Sequence, residues 1–459
     1  LYKDEVLHAL MSTVVEHVQS LDMQNAIHER RTVFETADRI RITVQARRFA
    51  SLARHHMICM EYSIHADQAC EVDICAGIDG DVWDLNGPHL RNVHAVEQGD
   101  VISVCATTHE NAVRVAVSET IVCTDAGQVL NEERCADDLQ IVRKFTKVNI
   151  QNGFTFYKFL SHWTGLESKD PLDDSRVMCQ QAAEIGFDGL LAEHVKLWSE
   201  RWADCDIQIE GDAPAQEALR FSMYHLLSIA PTHTSTASIP ARGMSGQMYK
   251  GAIFWDTEIF MLPFFTNVFP SVARNLLLYR YHTLNGARRK AREYGYRGAF
   301  YAWESQDTGD DACTLFNVTD VFTNRPMRTY FRDKQVHISA DIAYAFWKYF
   351  TSTGDISIWP DGGAEVVFEC ARFFLSYIYF NPDKQRYEIL DVTGPDEYHE
   401  RVHNNAFTNR LVMHTFEICL LVAARLQEHF PEKFFELMSA LDFARDLNLI
   451  SAMAQNLYQ

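Results

Sequence analysis

The hydrophobic period of the chain switches partway along, and no fold built from a single kind of layer satisfies both halves. In the first part apolar residues alternate. Ile40, Ile42, Val44 and Ala46 interleave with Arg41, Thr43 and Gln45, and Val113, Val115 and Val117 obey the same rule. A period of two buries one face of a strand and wets the other. Turn signals such as Gly77-Ile78-Asp79-Gly80-Asp81 separate the candidate strands. Residues 1–165 therefore read as an antiparallel β-sandwich, partial because its first strands are missing.

Residues 166–210 open on the polar break Ser168–Asp174 and then place Leu191, Val195, Trp198 and Trp202 on one helical stripe. They read as a helical linker packing on the helical region C-terminal to it. From 211 to 459 the period is helical. Asp212 caps a helix carrying Leu219, Met223, Leu226 and Ala230. Ser271 opens another, with Leu277, Tyr281 and Leu284, which ends in Arg288, Arg289, Lys290 and Arg292 before Gly295. Ser339 precedes a helix with Ile342, Phe346 and Tyr349. Further stripes run through Val367, Ala371, Phe374 and Ile378, and through Leu411, Thr415, Ile418 and Val422, with a weaker one over 431–446. Helices joined by long loops, with every unusual motif in a loop, point to an α/α barrel. The fold class is thus mostly α and multidomain. Roughly seven helices fall short of the twelve in a closed barrel of six hairpins, so the chain is expected to be truncated inside its barrel.

A net charge of −20, from 62 acidic and 42 basic residues, argues against nucleic-acid and anionic-membrane partners. The longest apolar run, Ile259–Phe265, is too short to cross a bilayer. No signal-peptide pattern comes after Leu1, and the missing initiator Met suggests a start inside a longer polypeptide. Eleven cysteines without metal spacing are expected to be reduced thiols of a cytoplasmic protein, and no metal is expected.

Three loops carry candidate chemistry. Trp255, Asp256 and Glu258 sit together in Tyr249–Phe260, and Trp303 and Glu304 repeat the aromatic-plus-carboxylate theme in Tyr301–Asp311. An indole packs on the C–H face of a sugar, and a carboxylate accepts bonds from two hydroxyls. The bland readings are a core Trp with Asp256 as a helix cap, and a solvated acidic loop. The third loop, Asp391–Asn409, places Asp396 and Glu397 just after the Gly394-Pro395 turn, with His399 and His403 beyond them. A glycosidic bond breaks when a carboxylic acid of raised pKa protonates its oxygen. Tyr398, Phe407 and nearby carboxylates are candidates for raising it. The alternatives are a first-turn cap, or two imidazoles four apart as metal ligands.

KGAIFWDTEIFMLPFF (from Lys250), YRGAFYAWES (from Tyr296), DKQVHISADIAYA (from Asp333) and DVTGPDEYHERVHNNAFTN (from Asp391) resemble the signatures of glycoside hydrolase family 65. That family holds maltose, kojibiose, nigerose and trehalose phosphorylases and some α-glucoside hydrolases. The resemblance implies a β-sandwich, a helical linker, an (α/α)6 barrel and a small C-terminal β-domain. It implies Glu397 as general acid, Trp255 and Asp256 as holders of the non-reducing glucose, and Trp303 and Glu304 as further sugar-binding positions. It also implies inorganic phosphate as co-substrate of a disaccharide, no cofactor, phosphate contacts in a segment after Gln459, and a homodimer. Ala252 replaces a frequent His, and His403 a frequent Asp. The implied reaction is inverting phosphorolysis of an α-glucosyl disaccharide. A hydrolase on the same scaffold and a non-catalytic sugar-binding protein are the rival readings.

Overall fold

The computed structural model describes residues 1–84, 87–124, 131–245, 249–316 and 318–453. They form two compact units, Leu1–Tyr224 and His225–Gln459.

In the first unit an eight-stranded antiparallel sheet runs in the order Val14–Asp22, Ile27–Glu35, Arg41–Ala50, Met57–Ala66, Phe154–Thr164, Arg114–Cys123, Val101–Thr108, Leu90–Gln98. A three-stranded sheet, Asn131–Ala136, Gln140–Asn149 and Glu71–Asp79, is also antiparallel. Ile42, Ile64, Phe154 and Phe156 of the large sheet share one apolar cluster with Ile74, Phe145 and Val148 of the small one. Register tracks the buried alternation, because a slip of one residue would turn these side chains to the other face.

The strand Arg114–Cys123 departs from the expected wet face. Val117 packs toward Ile78, Ile102, Val104 and Ile141. On the other face Ala116, Ser118 and Thr120 are buried against helix α1 (Pro171–Ile185). Ser118 Oγ lies 2.7 Å from Ser175 Oγ. Small side chains there let a helix approach closely, so polarity on that face does not mean solvent. Helix α2 (Phe187–Cys205) buries Leu190, His194 and Trp198 and half-buries Leu191 and Val195. The main packing of α1 and α2 is on the strands of the large sheet, not on the helices C-terminal to them as expected. His194 Nδ1 accepts from Leu52 N at 3.1 Å, and its Nε2 donates to Asn25 O at 2.9 Å. A histidine satisfied on both sides can occupy a core stripe that an apolar pattern leaves vacant.

Helix α3 (Ala213–Ile229) starts at Asp212, whose Oδ1 accepts from Ala215 N at 2.9 Å. The second unit then contains α4 (Leu262–Val268), α5 (Pro270–His282), α6 (Leu284–Glu293), α7 (Phe331–Lys334), α8 (Ile338–Thr353), α9 (Ala364–Tyr377), α10 (Ala406–His429), α11 (Pro431–Ala440) and α12 (Ala444–Met453). The single helix expected from Ser271 is two. It begins at Pro270, and it breaks where Thr283 Oγ1 bonds back to Tyr279 O at 2.8 Å. Ser339 does not cap α8. It lies inside the helix, where its hydroxyl donates to Ala299 O and accepts from Tyr301 N. Helix α9 is buried nearly all round, through Val366, Val367, Phe368, Cys370, Ala371, Phe373 and Phe374. Helix α10 packs against α8, α9, α11 and α12. By length and composition it is the one helix among the described residues long and apolar enough to cross a membrane, and it buries eleven side chains in the helical core, from Thr408 to Leu426.

Candidate active site

The two tryptophan–carboxylate loops are joined through their backbones. Ile253 N donates to Ser305 O and Ser305 N to Ile253 O, each at 3.0 Å. Tyr279 Oη contacts Ser305 Oγ and Gln306 O, both at 2.9 Å, which clamps the second loop to α5. Asp311 closes that loop from within: it accepts from Trp303 N at 3.0 Å and Glu304 N at 3.1 Å, and pairs with the buried Lys290 at 2.7 Å. The acidic loop is therefore largely internal, not solvated.

Trp303 is held on its ring and its edge. It stacks on Phe331 at 4.8 Å and meets Phe254 edge-on at 4.7 Å. Its Nε1 donates to Gln335 Oε1 at 2.6 Å, and Gln335 Nε2 donates to Glu397 Oε1 at 3.0 Å. That chain brings Glu397 to the Trp303–Glu304 loop. Trp255 is half-buried, with its ring edge-on to His337 at 5.0 Å and 6.4 Å from Phe407. His337 pairs with Asp341 at 2.6 Å, and both are fully buried.

The carboxylates divide by partner. Glu258 is buried and takes both of its bonds from Arg280, each at 2.7 Å, so it anchors the backbone turn rather than facing a ligand. Asp256 is half-buried, and burial pushes its carboxyl above the ordinary aspartate value. It makes no side-chain cap to the adjoining π-helical turn Thr257–Met261, a type of turn frequent at functional sites. Glu304 is buried, its Oε2 has no hydrogen-bond partner, and desolvation raises its carboxyl. Glu304 Oε2 is thus an acceptor not consumed by the fold, a costly condition unless a ligand's donor meets it.

Glu397 lies on a loop whose base is closed by the Val392–Val402 bridge. Lys334 and Arg401 both hold Asp391 at 2.8 Å. Asp391 N donates to His403 Nδ1 at 3.0 Å, and His399 Nδ1 is 2.8 Å from Asp396 Oδ2. The two imidazoles are engaged separately, and among the described residues no group of three His, Cys, Asp or Glu is placed to hold a metal. Asp396 and Glu397 do not cap a helix either; Asn405 does that for α10, accepting from Thr408 N at 3.0 Å. One expectation fails: Tyr398 is 98% exposed and cannot desolvate Glu397. Ala252 is buried in the core, away from solvent.

Gln335, His337 with Asp341, and Lys290 with Asp311 join the site without having stood out in the sequence. Lys290 and Asp311 lie in charged segments and Gln335, His337 and Asp341 in the mixed DKQVHISAD stretch, so no periodicity marks them.

The described fold resembles a solved structure named as a putative kojibiose phosphorylase from the human microbiome, with a TM-score of 0.88, 18% identity, and coverage of 100% of this chain and 59% of that one. The profile of the glycosyl hydrolase family 65 central catalytic domain matches residues 220–455, and that of the family's N-terminal domain matches residues 1–201. The chain belongs to glycosyl hydrolase family 65. It is 42% identical over 466 residues to the nigerose phosphorylase of Lachnoclostridium phytofermentans, covering 96% of this chain and 61% of that protein. It is 37% identical over 403 residues to the 1,2-alpha-glucosylglycerol phosphorylase of Bacillus selenitireducens, covering 87% of this chain and 52% of that protein. The chain therefore spans between half and two-thirds of the length of these relatives.

Proposed function

We propose that this protein is an inverting glycoside phosphorylase that transfers the glucosyl group of an α-glucoside to phosphate. The observation that carries the reading is the placement of Glu397, tied through Gln335 to Trp303 beside the unpartnered carboxylate of Glu304. Trp255 and Asp256 on the adjoining loop bind the non-reducing glucose, the indole on its C–H face and the carboxylate on its hydroxyls. Glu397 gives its proton to the glycosidic oxygen as the C1–O bond breaks, and the acceptor leaves as a free alcohol. A phosphate oxygen forms the new bond to C1 from the opposite face, so an α-glucoside gives β-glucose 1-phosphate. Phosphate is already an anion and needs no general base, and the chemistry needs no cofactor. The phosphorylases named among the relatives support phosphate over water as nucleophile.

The domain plan proposed with this activity is a β-sandwich over 1–165, a helical connector over 166–210 and catalytic helices from 211 arranged as an (α/α)6 barrel. The end of the long strands at Thr164 and the helices from Pro171 onward support it. Eleven free thiols suit a cytoplasmic location, and a homodimer is the proposed assembly.

Incubating the protein with nigerose, kojibiose, maltose, trehalose and glucosylglycerol, with and without phosphate, tests the reading. Phosphate-dependent glucose 1-phosphate from one of them is expected. Free glucose at equal rates without phosphate would make the protein a hydrolase, and no turnover of any would leave a binding protein.

A further inference from the structure

We propose that Gln335 is a positioning residue for the reaction: its amide holds Glu397 Oε1 and leaves Oε2 to carry the proton, while Trp303 fixes which way the amide faces. The inference rests on the reading of Glu397 as the acid.

The orientation is dictated by donor chemistry. An indole N–H only donates. Trp303 Nε1 at 2.6 Å therefore requires the oxygen of the Gln335 amide, which turns the NH2 group toward Glu397 at 3.0 Å. Gln335 is 1% exposed and its bond to Trp303 is buried, so water does not compete for the amide oxygen, while Glu397 itself is exposed. Trp303 cannot swing away without giving up its stack on Phe331 and its edge contact with Phe254. The neighbouring backbone is pinned to the same loop: Thr393 N donates to Lys334 O at 3.0 Å, and Lys334 Nζ reaches Asp391 at 2.8 Å. The base of the Glu397 loop is thus bonded to the residue preceding Gln335.

The bond has a consequence for catalysis. A donor facing one carboxyl oxygen directs the proton to the other. The bond strengthens as Glu397 becomes a carboxylate, so it is worth more in the transition state than in the ground state, and that difference raises kcat. The same donor favours the ionised form. Removing it is expected to move the alkaline limb of kcat/KM to higher pH. Other charged groups nearby are Asp391 with Lys334 and Arg401, Asp396 with His399, Asp256, Glu304, and the His337–Asp341 pair of α8. All are common to variant and wild type, so a difference between them reports on Gln335.

The test is the pH profile of phosphorolysis for Gln335→Met, Gln335→Glu and Trp303→Phe, with thermal unfolding as a folding control. In Gln335→Met kcat is expected to fall about 10- to 100-fold with the alkaline limb displaced upward. Gln335→Glu adds a negative charge and is expected to displace the limb further. Trp303→Phe should displace it in the wild-type background and no further in the Gln335→Met background. A folded Gln335→Met protein with reduced kcat and an unmoved limb overturns the proposal. Should Gln335→Met not fold, an unmoved limb in Gln335→Glu and in Trp303→Phe overturns it equally. Full turnover by Glu397→Gln would instead remove the acid assignment, so the two failures are told apart.

Discussion

Lys290 Nζ sits 2.7 Å from Asp311 Oδ2, and neither side chain reaches solvent. The same carboxylate receives the backbone N–H groups of Trp303, Glu304 and Cys313. The buried pair is thus the internal brace of the Trp303–Glu304 loop. Removing one partner leaves an unpaired buried charge, which costs about 3–5 kcal/mol. Lys290→Met is expected to lower the unfolding free energy by that order in chemical denaturation. It should also abolish activity through the Trp303–Glu304 loop, although Lys290 itself never meets substrate.

Asp256 gives a pH dependence in binding. Its carboxyl is raised by burial, and in the role proposed for it at the glucose it accepts from two hydroxyls as the ionised form. Substrate affinity should therefore fall as pH drops, beginning above the ordinary aspartate range. Asp256→Asn is expected to weaken KM by about 10- to 100-fold, as for the loss of a hydrogen bond to a charged group, and to erase the acid limb of 1/KM. Unchanged affinity in that variant would count against a role at the glucose.

Gly394 is required by a neighbour rather than by its dihedral angles. A Cβ there would stand 2.5 Å from Asn405 Nδ2 and 2.8 Å from its Cγ. Asn405 is also the cap of α10. Gly394→Ala must displace one or the other. It should cost about 1 kcal/mol from the lost cap and reduce kcat by displacing the Glu397 loop, both readable from denaturant melts and steady-state rates.

Asp391 is held at about 2 by the Arg401 guanidinium and then by Lys334. A folded-state value below the ordinary 3.8 contributes stability that is complete above the unfolded value and is lost as pH falls through the folded one. Arg401 is half exposed, so screening by solvent keeps the contribution small. The stability gap between wild type and Asp391→Asn should be constant above pH ~5 and close between pH ~4 and ~2.

Hydrophobic period made much of the architecture legible, because burial of one face leaves a regular trace. The stripes at Met223, Phe346, Val367 and Val422 all lie on helices. Period failed where burial was polar. His194 took the place of an apolar residue in α2, and Ser339 disappeared into α8 because its hydroxyl found Ala299 and Tyr301. It also failed at Thr283, where α5 gives way to α6. At the site, Trp255, Asp256, Trp303, Glu304 and Glu397 stood out because aromatic residues beside carboxylates are conspicuous in a string. Gln335 did not, since a lone glutamine before an apolar helix has no pattern of its own. Only the folded geometry, with an indole on one side and a carboxylate on the other, gives it meaning.

The decisive measurement is the rate and anomeric form of glucose 1-phosphate released by wild type and by Glu397→Gln, monitored by proton NMR with disaccharide binding measured in parallel. The expected result is β-glucose 1-phosphate from the wild type, a fall of at least about 100-fold in the variant, and sugar affinity retained. Near-wild-type turnover without the carboxyl, or release of the α anomer, would contradict the account.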